Sequence, residues 1–311
     1  MEDLFGFDKE RDFPEIEWSY SRRGALEQCP LKYYFQYYGG LTKLAKKENR
    51  QEQIVLFKKF SNRFTRTGEI LHLVVRTYLK DKGNHWSLDR LQKWAGQMLK
   101  EDIDFSTQKQ SGEKLNDKQY PPVVLVELWY GHEHGNQLID ETKARLMDAI
   151  NLFVSSDIYS ELRSFDQQIP RVIEKKVRYQ VSDIHCRAQV DLAYREKNDS
   201  TVVICDWKTG DNNDPESGLQ LQSYALWAID EFKCSPKELK LLRAHLSENK
   251  LKQYEVTTKT LDRASARIRQ DMERMRLVHT YGIEAASEAF TPCLQPQVCR
   301  LCSFQELCSL V

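Results

Sequence analysis

The sequence lacks three features that would place the protein in a membrane, export it or link it to ATP. Its longest apolar runs, such as Val123 to Val126, are far too short to span a bilayer. The acidic start at Met1, Glu2 and Asp3 lacks the basic and apolar regions of a signal peptide. No GxxxxGK(S/T) motif occurs, so any unwinding of nucleic acid must come from a partner. We therefore expect a cytoplasmic protein without membrane contact.

An excess of charge of either sign is also lacking, because 46 basic residues balance 46 acidic ones. This balance argues against a protein that coats nucleic acid by bulk charge, so any contact with DNA must be local. An ordinary solvated helix face is the competing interpretation of each candidate basic surface. These surfaces are Lys43, Lys46, Lys47 and Arg50; Lys58, Lys59, Arg63 and Arg66; and Arg263, Arg267 and Arg274.

Neither an internal repeat nor a long low-complexity linker divides the 311 residues, of which 41% are hydrophobic. Such a chain can bury one large core or two modest ones. The first half has helical spacing of its apolar residues at Asn62 to Leu79, and we expect one long helix from about Val123 to Phe153. The aromatic-rich segment Ser19 to Tyr38 also fits a helix, and polar Lys109 to Pro122 fits a loop.

The middle of the chain changes period and predicts strands. Pro170 to Gln180, Ile184 to Tyr194 and Thr201 to Trp207 are short runs of β-branched and apolar residues separated by polar turns. A helix from Glu216 to Phe232 and a strand from Glu238 to Leu246 follow. A further strand at 253–257 and a helix at 260–278 complete the pattern. This order predicts an α/β fold in which the strands lie under flanking helices.

Two carboxylates and a lysine lie on neighbouring predicted strands. Asp191 is inside the second strand and Asp206-Trp207-Lys208 ends the third. Asp206 and Lys208 are two residues apart, so both side chains point to one face. Two carboxylates can bind Mg²⁺ or Mn²⁺, and a lysine can orient water or stabilise developing charge during phosphodiester hydrolysis. Alone, the pattern also fits a strand-end aspartate and a surface ion pair.

Two further features favour a functional site. Gln220 and Tyr224 are spaced i,i+4, so they share the face of the following helix. His72 lies on an earlier helix, where a neutral imidazole would be a third metal ligand. Each has a plain alternative, since His72 fits a hydrogen-bonded core histidine and Tyr224 fits a core residue. Glu174, on the first strand, is a weaker candidate that we assign to the surroundings of the metal or to a second ion.

Taken together, this series resembles the RecB-type nucleases of the PD-(D/E)XK superfamily. The residues that carry the resemblance are His72, Asp191, Asp206, Trp207, Lys208, Gln220 and Tyr224. The metal ligands that it implies are His72, Asp191, Asp206 and the carbonyl oxygen of Trp207. It further implies that Lys208 assists the attacking water, and that Gln220 and Tyr224 support the site or contact DNA.

Half of the eight cysteines crowd into the C-terminal tail. A long chain without a signal peptide favours metal binding or buried thiols over disulfides. Cys299-x2-Cys302-x5-Cys308, with distant Cys29, could hold zinc or a [4Fe–4S] cluster, and local chemistry does not separate the two. Cys293 has no place in this pattern. Cys186, Cys205 and Cys234 fall in strand or helix runs, and we expect them to be plain buried residues.

One cysteine before the core and three after it resemble the AddB-type and CRISPR-associated RecB-like exonucleases. The resemblance implies a [4Fe–4S] cluster that ties the N-terminal helix to the tail through Cys29, Cys299, Cys302 and Cys308. It implies a restriction-endonuclease-like αβββαβ core with N-terminal helical elements. The corresponding segments are an N-terminal part (1–60), a helical region (61–160), the nuclease core (161–280) and the cluster tail (281–311).

The function that the resemblance implies is a Mg²⁺- or Mn²⁺-dependent exodeoxyribonuclease. The sequence has no obvious helix for reading the major groove and no sustained basic stripe, so we expect a preference for single strands over duplex. Such an enzyme would act in DNA repair and recombination or in CRISPR and phage defence, with a helicase or another nucleic-acid-processing protein as a partner. Aromatic rings near the site and in the N-terminal run are candidates for stacking on unpaired bases. These rings are Trp207, Tyr224, Trp227, Tyr33, Tyr34, Phe35, Tyr37 and Tyr38. Burial in the core is the competing interpretation, and we favour it for Tyr34, Phe35 and Trp227. Two alternatives are a non-catalytic DNA-binding subunit of a helicase–nuclease complex and a zinc-stabilised interaction protein.

Overall fold

A computed structural model describes residues 16–40, 50–81, 84–110, 120–164, 171–197, 200–209, 217–284 and 287–308. The chain packs as two compact units. We call Ser61–Val181 with Arg187–Ala266 the sheet unit. We call Met1–Phe60, Ser182–Cys186 and Arg267–Val311 the cysteine unit.

Helices occur throughout the described residues. In chain order they are α1 (Tyr20–Gln28), α2 (Pro30–Tyr37), α3 (Arg50–Phe57), α4 (Arg63–Asp81), α5 (Leu88–Gln110), α6 (Val126–Trp129), α7 (Gly135–Ser155), α8 (Ser160–Ser164), α9 (Ser217–Phe232), α10 (Thr258–Ile283) and α11 (Pro296–Cys299).

Five of the described strands form a mixed sheet with the order β3-β4-β5-β6-β7, and β1 and β2 form a two-stranded sheet. The bounds are β1 (Phe60–Ser61), β2 (Val124–Leu125), β3 (Arg171–Val181), β4 (Ile184–Arg195), β5 (Val202–Lys208), β6 (Leu239–His245) and β7 (Lys250–Tyr254). β5 and β6 are parallel and connected through α9, whereas β4 pairs with β5, and β6 with β7, in antiparallel register. The expectation of mixed helices and sheet is therefore confirmed, and the further strand expected at 253–257 lies earlier, at Lys250–Tyr254.

The apolar run of β5 explains its central position. Val202 to Trp207 are all buried, and such a continuous run is typical of a strand covered on both faces. β7, by contrast, has the sequence KLKQY with exposed lysines, which suits the edge of a sheet because charged side chains discourage further pairing. The sheet therefore ends at β7, and β5 lies at its middle.

One face of the sheet packs against α4, α5 and α7. Leu71, Leu99 and Phe153 from these helices form a core with Trp207 and Ala244 of the sheet, and all are almost fully buried. Helix α9 covers the opposite face of β5 and β6. Because side chains alternate along a strand, Asp206 and Lys208 point away from the face that carries Trp207.

Two buried carboxylates fix α4, the helix that carries His72. Arg66 makes a bidentate ion pair with Asp102, with nitrogen–oxygen distances of 2.7 and 3.1 Å. The guanidinium of Arg63 lies 3.0 Å from Glu127, whose carboxylate is fully buried. A buried carboxylate is stable only when it is paired, so these arginines have structural partners. They are therefore not free for the DNA contact that their clustering suggested.

The single helix expected from Val123 to Phe153 is wrong. The segment divides into β2, α6 and α7, and the break lies at Gly131 and His134, whose φ angles are 61° and 59°. Left-handed residues cannot continue a right-handed helix. The loop expected at Lys109 to Pro122 begins after α5 at Gln110, and residues 111–119 lie outside the described residues.

In the cysteine unit, Cys29 separates two short helices. Its N–H donates to the Ala25 carbonyl at the end of α1, and its sulfur accepts from Lys32 N at 3.4 Å as the N-cap of α2. Pro30 then occupies the first helical position, where no N–H is needed. Trp18 joins the unit through its N–H to the His185 carbonyl and its indole N–H to Asp271.

Candidate active site and thiol cavity

A histidine and two carboxylates from three elements converge in the sheet unit. His72 Nδ1 lies 2.7 Å from Glu174 Oε1 and 3.4 Å from Asp191 Oδ1. The three side chains offer ligand atoms that all lie within 4.8 Å of one another. We call them the His72 group. Nitrogen and carboxylate oxygen atoms at this spacing can hold a divalent cation.

Glu174 reaches this group through an unusual backbone. It lies within β3 with φ 48°, a left-handed conformation that costs a non-glycine residue about 1–2 kcal/mol. Its second oxygen accepts from Gln189 Nε2 at 2.8 Å. Strained residues of this kind concentrate at functional sites. The sequence placed Glu174 outside the ligand set, whereas the structure puts it in direct contact with His72.

Asp206 and Lys208 lie on β5 beside this group. Lys208 Nζ is 3.0 Å from Asp206 Oδ1, and Arg243 Nε from β6 is 3.1 Å from Asp206 Oδ2. The lysine side chain is 37% exposed, so its ammonium can reach a ligand from solvent. Asp206 therefore faces two cations and is not a member of the His72 group. Arg243 is a site residue that the sequence analysis missed.

Gln220 and Tyr224 connect these parts. Arg243 donates to Gln220 Oε1 at 3.2 Å, and Gln220 Nε2 donates to Tyr224 OH at 2.8 Å. The tyrosine hydroxyl in turn donates to the carbonyl of Gln189 on β4 at 2.8 Å. Because Gln189 also holds Glu174, a continuous chain of contacts runs from Asp206 to the His72 group. The pair Gln220 and Tyr224 thus has a supporting position in the structure.

The charges of the site act strongly on His72. Burial lowers the pKa of its imidazole, but Asp191 and Glu174 outweigh that effect and raise the pKa to about 10. The carboxylates therefore favour a cation at this position. A divalent metal ion and the imidazole proton would compete for the same negative charge.

A second histidine lies beside Lys208. His245 is the register partner of Lys208 on β6 and is 3% exposed. Neither of its ring nitrogens has a hydrogen-bond partner among the described residues. Burial lowers the pKa of His245, so the ring is neutral near pH 7. The sequence analysis missed this residue because a lone histidine on an apolar strand carries no motif.

Trp207 has a different environment from the one that base stacking needs. The backbone N–H of Trp207 donates to Asp191 Oδ2 at 3.1 Å, which holds that carboxylate against β5. Its indole is fully buried between His72 and Phe153. Most of the other aromatic residues proposed for stacking are buried as well: Tyr224, Trp227, Tyr33, Tyr34, Phe35 and Tyr38. Burial of Tyr34, Phe35 and Trp227 agrees with the core positions favoured for them, and burial of the others leaves their rings without the exposure that base stacking needs. Of this set, Tyr37 is partly exposed.

A separate cavity in the cysteine unit is lined by sulfur. The thiols of Cys29, Cys299, Cys302 and Cys308 line it together with that of Cys293. Leu31, Phe35, Pro292, Val298 and Phe304 supply apolar walls. Cys293 Sγ lies 3.9 Å from Cys299 Sγ, so the expectation that Cys293 stands apart is wrong. Cys186, Cys205 and Cys234 are buried elsewhere, as expected.

Comparison with known proteins places the chain in a family. The model of the PD-(D/E)XK nuclease superfamily matches residues 17–309. The chain belongs to the PD-(D/E)XK nuclease superfamily. No characterised protein matches the chain closely enough to add a specific activity. The family assignment agrees with the mixed sheet and with the carboxylates and lysine on β4 and β5.

Membership of the PD-(D/E)XK superfamily carries coarse functional information. Its members usually hydrolyse phosphodiester bonds, generally with Mg²⁺ or Mn²⁺, and they bind nucleic acid. The ligand atoms of the His72 group lie close enough together that they could hold a metal ion. In the described part of the chain, no helix combines the length and apolarity required to cross a membrane.

Proposed function

We propose that the protein is a metal-dependent deoxyribonuclease whose catalytic centre combines the His72 group with Asp206 and Lys208. The observation that carries this proposal is the convergence of His72, Glu174 and Asp191 within 4.8 Å of one another. The alternative, an aspartate and a lysine that form only a surface ion pair, does not explain why three potential metal ligands from three elements meet at one place. The superfamily assignment supports hydrolysis of a phosphodiester as the reaction.

In this proposal each side chain has a distinct task. A divalent cation, when bound, supplies Lewis-acid polarisation of the phosphodiester and lowers the pKa of water. His72, Glu174 and Asp191 hold that cation. Lys208, held at 3.0 Å by Asp206, orients the attacking water or stabilises charge on the phosphoryl oxygens. We keep Asp206 and the Trp207 carbonyl as further residues that would hold the cation.

We also propose a thiolate-bound metal centre, a [4Fe–4S] cluster, in the cysteine unit. The lining of the cavity fits such a group because its donor atoms are cysteine sulfurs. Among the described residues that line it, no histidine or carboxylate competes with them. Cys29, Cys299, Cys302 and Cys308 would hold the cluster and tie α2 to the tail. The alternative occupant, zinc, has the same donor preference, so metal and sulfide analysis is the measurement that separates the two.

For the substrate we propose DNA with a free end, with preference for single strands. The burial of the aromatic residues removes stacking as support. What remains is the likeness to end-acting nucleases and the neutral net charge, which does not favour tight binding to a duplex. We also propose that the protein acts on DNA that a helicase has unwound, in repair, recombination or phage defence.

The test is a nuclease assay on one end-labelled sequence in three forms: linear single strand, closed single-stranded circle and blunt duplex. We expect cleavage with Mg²⁺ or Mn²⁺, loss with EDTA, and fastest loss of the linear single strand. Asp191→Asn and Lys208→Met should abolish cleavage, whereas the matched surface variant Glu161→Gln should cleave like the parent. Parental cleavage by Asp191→Asn overturns the site, and rapid cutting of the circle overturns the need for an end.

A further inference from the structure

The cavity of the cysteine unit contains one thiol more than a four-cysteine centre uses. Five cysteines line it, and Cys293 interacts with two of the others. Its sulfur is 3.9 Å from Cys299 Sγ, and its charge acts on the thiol of Cys29, which lines the same cavity. Tetrahedral zinc and a [4Fe–4S] cluster each take four cysteine thiolates. One of the five thiols is therefore surplus at any moment.

Backbone contacts hold Cys293 in this position. Leu31 N–H donates to the Thr291 carbonyl at 3.2 Å, which fixes the chain before Cys293 to the start of α2, next to Cys29. Leu294 then turns the chain with φ 55° and leaves its side chain 68% exposed. A left-handed, exposed leucine is unfavourable by itself. The turn nevertheless brings Cys293 back against Cys299 at the end of α11.

The neighbouring sulfurs identify which ligand Cys293 can replace. Cys293 and Cys299 lie side by side. The sulfur of Cys302, by contrast, accepts a hydrogen bond from the backbone N–H of Phe304 at 3.4 Å. We propose that Cys293 is a fifth ligand donor of this metal centre and exchanges with Cys299 at one coordination position. This inference rests on the proposed thiolate-bound centre.

The exchange needs no oxidant or reductant. The Cys293 thiol releases its proton to water as its sulfur binds the metal, and the departing Cys299 thiolate takes up a proton. One metal–sulfur bond forms and one breaks, so neither charge nor electron count changes. The consequence is a centre that survives loss of the Cys299 sulfur, for example by alkylation.

The experiment measures metal content, acid-labile sulfide and visible absorption of the full chain purified without oxygen. The variants are Cys293→Ser, Cys299→Ser, the double variant and Cys302→Ser, with Cys234→Ser as a buried-thiol control. We expect both single variants at positions 293 and 299 to keep the centre but to lose metal to a chelator about 10-fold faster. The double variant and Cys302→Ser should be empty.

Two results overturn the inference. One is a Cys299→Ser protein as empty as the double variant, because Cys293 then does not replace the lost ligand. The other is a double variant loaded like the parent. A parent that contains no metal, even after reconstitution with iron and sulfide and after titration with Co²⁺, overturns the proposed centre and the exchange together. The nuclease proposal is unaffected by that result because its site lies in the sheet unit.

Discussion

Arg243 Nε lies 3.1 Å from Asp206 Oδ2, and both side chains are almost fully buried. Neither atom makes a hydrogen bond within the described residues, so the attraction between the two opposite charges holds this pair together. The same guanidinium donates to Gln220 Oε1. Arg243 therefore fixes Asp206 from the side opposite Lys208 and links it to the Gln220 and Tyr224 pair.

The first prediction concerns this arginine. Arg243→Met leaves Asp206 with Lys208 as its cation, so we expect the carboxylate to turn and cleavage to fall about 100-fold. Stability should fall by about 3 kcal/mol because one partner of a buried pair is removed. Arg243→Lys restores the charge beside Asp206 but not the second guanidinium nitrogen that donates to Gln220, so it should recover part of the rate. Steady-state kinetics should show the change in kcat, with KM little altered.

Lys240→Met provides the matched control for Arg243. Lys240 lies on the same strand and pairs with Glu161 at 2.6 Å, but this pair is partly exposed. Pairs of this kind contribute about 0–1 kcal/mol, and we expect parental cleavage. Equal rates for Arg243→Met and the parent would contradict the assigned linkage.

The second prediction concerns Glu174. Glu174→Gln keeps the size of the side chain and removes the charge next to His72, so we expect affinity for Mn²⁺ to fall about 10- to 100-fold. Calorimetric titration with Mn²⁺ measures the change, with Glu161→Gln as the control carboxylate. An unchanged Mn²⁺ affinity would remove Glu174 from the ligand set. Cleavage should fall in parallel with metal binding.

Local patterns were sufficient to predict the strands but not all of the site. Alternation and apolar runs record whether a strand is half-buried or fully buried, so β4, β5 and β6 agree with the prediction to within one or two residues. The sequence did not predict Glu174 as a neighbour of His72, because residues of an ideal strand do not have its left-handed φ angle. Arg243 was missed because its partners, Asp206 and Gln220, are distant in sequence and on other elements.

The lack of a local sequence signal also explains why the break before α7 and the position of Cys293 were not predicted. No periodicity marks His134 as left-handed, so apolar residues on both sides of it read as one helix. Cys293 falls outside the x2 and x5 spacing, and the hydrogen bond from Leu31 to Thr291 that positions it joins distant segments. The four other cysteines that line the cavity were recognised because spacing and a family resemblance acted together.

The third prediction is a pH dependence of stability in the metal-free protein. His72 has a folded-state pKa of about 10, above its ordinary value of 6.5. A raised pKa stabilises the fold fully below pH 6.5, and this contribution is lost as the pH rises towards 10. We therefore expect His72→Gln to lower the Tm most at pH 6 and little at pH 10, with EDTA present. A Tm difference that grows with pH would contradict the assigned charge on His72.

The fourth prediction concerns close packing in the cysteine unit. A Cβ atom added at Gly282 would lie 2.6 Å from the ring of Tyr38, which is 1% exposed. The ring cannot move freely because its hydroxyl contacts His279 Nδ1 at 3.0 Å. Gly282→Ala should cost about 1–3 kcal/mol. Denaturant unfolding of the variant and the parent measures this difference in the free energy of unfolding.

Gly24 offers the matched control for this packing. No atom lies within 4 Å of a Cβ built there, and Gly24 is inside α1. Gly24→Ala should therefore stabilise the protein by up to about 1 kcal/mol through helix propensity. Opposite signs for two identical substitutions test the packing directly, and equal signs would contradict it.

The last prediction concerns the path of the nucleic acid backbone away from the site. Across the sheet, Arg243 pairs in register with Lys252, and His245 pairs with Lys250. Residues directly opposite in neighbouring strands share a face. The face that carries Asp206 and Lys208 therefore continues over β6 to two lysines on the edge strand.

Lys250 and Lys252 are exposed, although Lys250 also contacts Glu248 at 2.7 Å. Both ammonium groups lie on the edge strand β7, two strands from Lys208, and we expect a phosphate backbone bound at the site to leave the protein along this edge. Lys250→Gln with Lys252→Gln should raise the KM for single-stranded DNA while kcat stays near the parental value. The slope of log affinity against log salt should fall by about 0.7 for each phosphate that the variant no longer neutralises. Lys237→Gln, an exposed lysine just before the opposite end of β6, should change neither quantity. An unchanged salt slope in the double variant would place the backbone on another path, since a cation that touches phosphate cannot be removed without releasing fewer counterions.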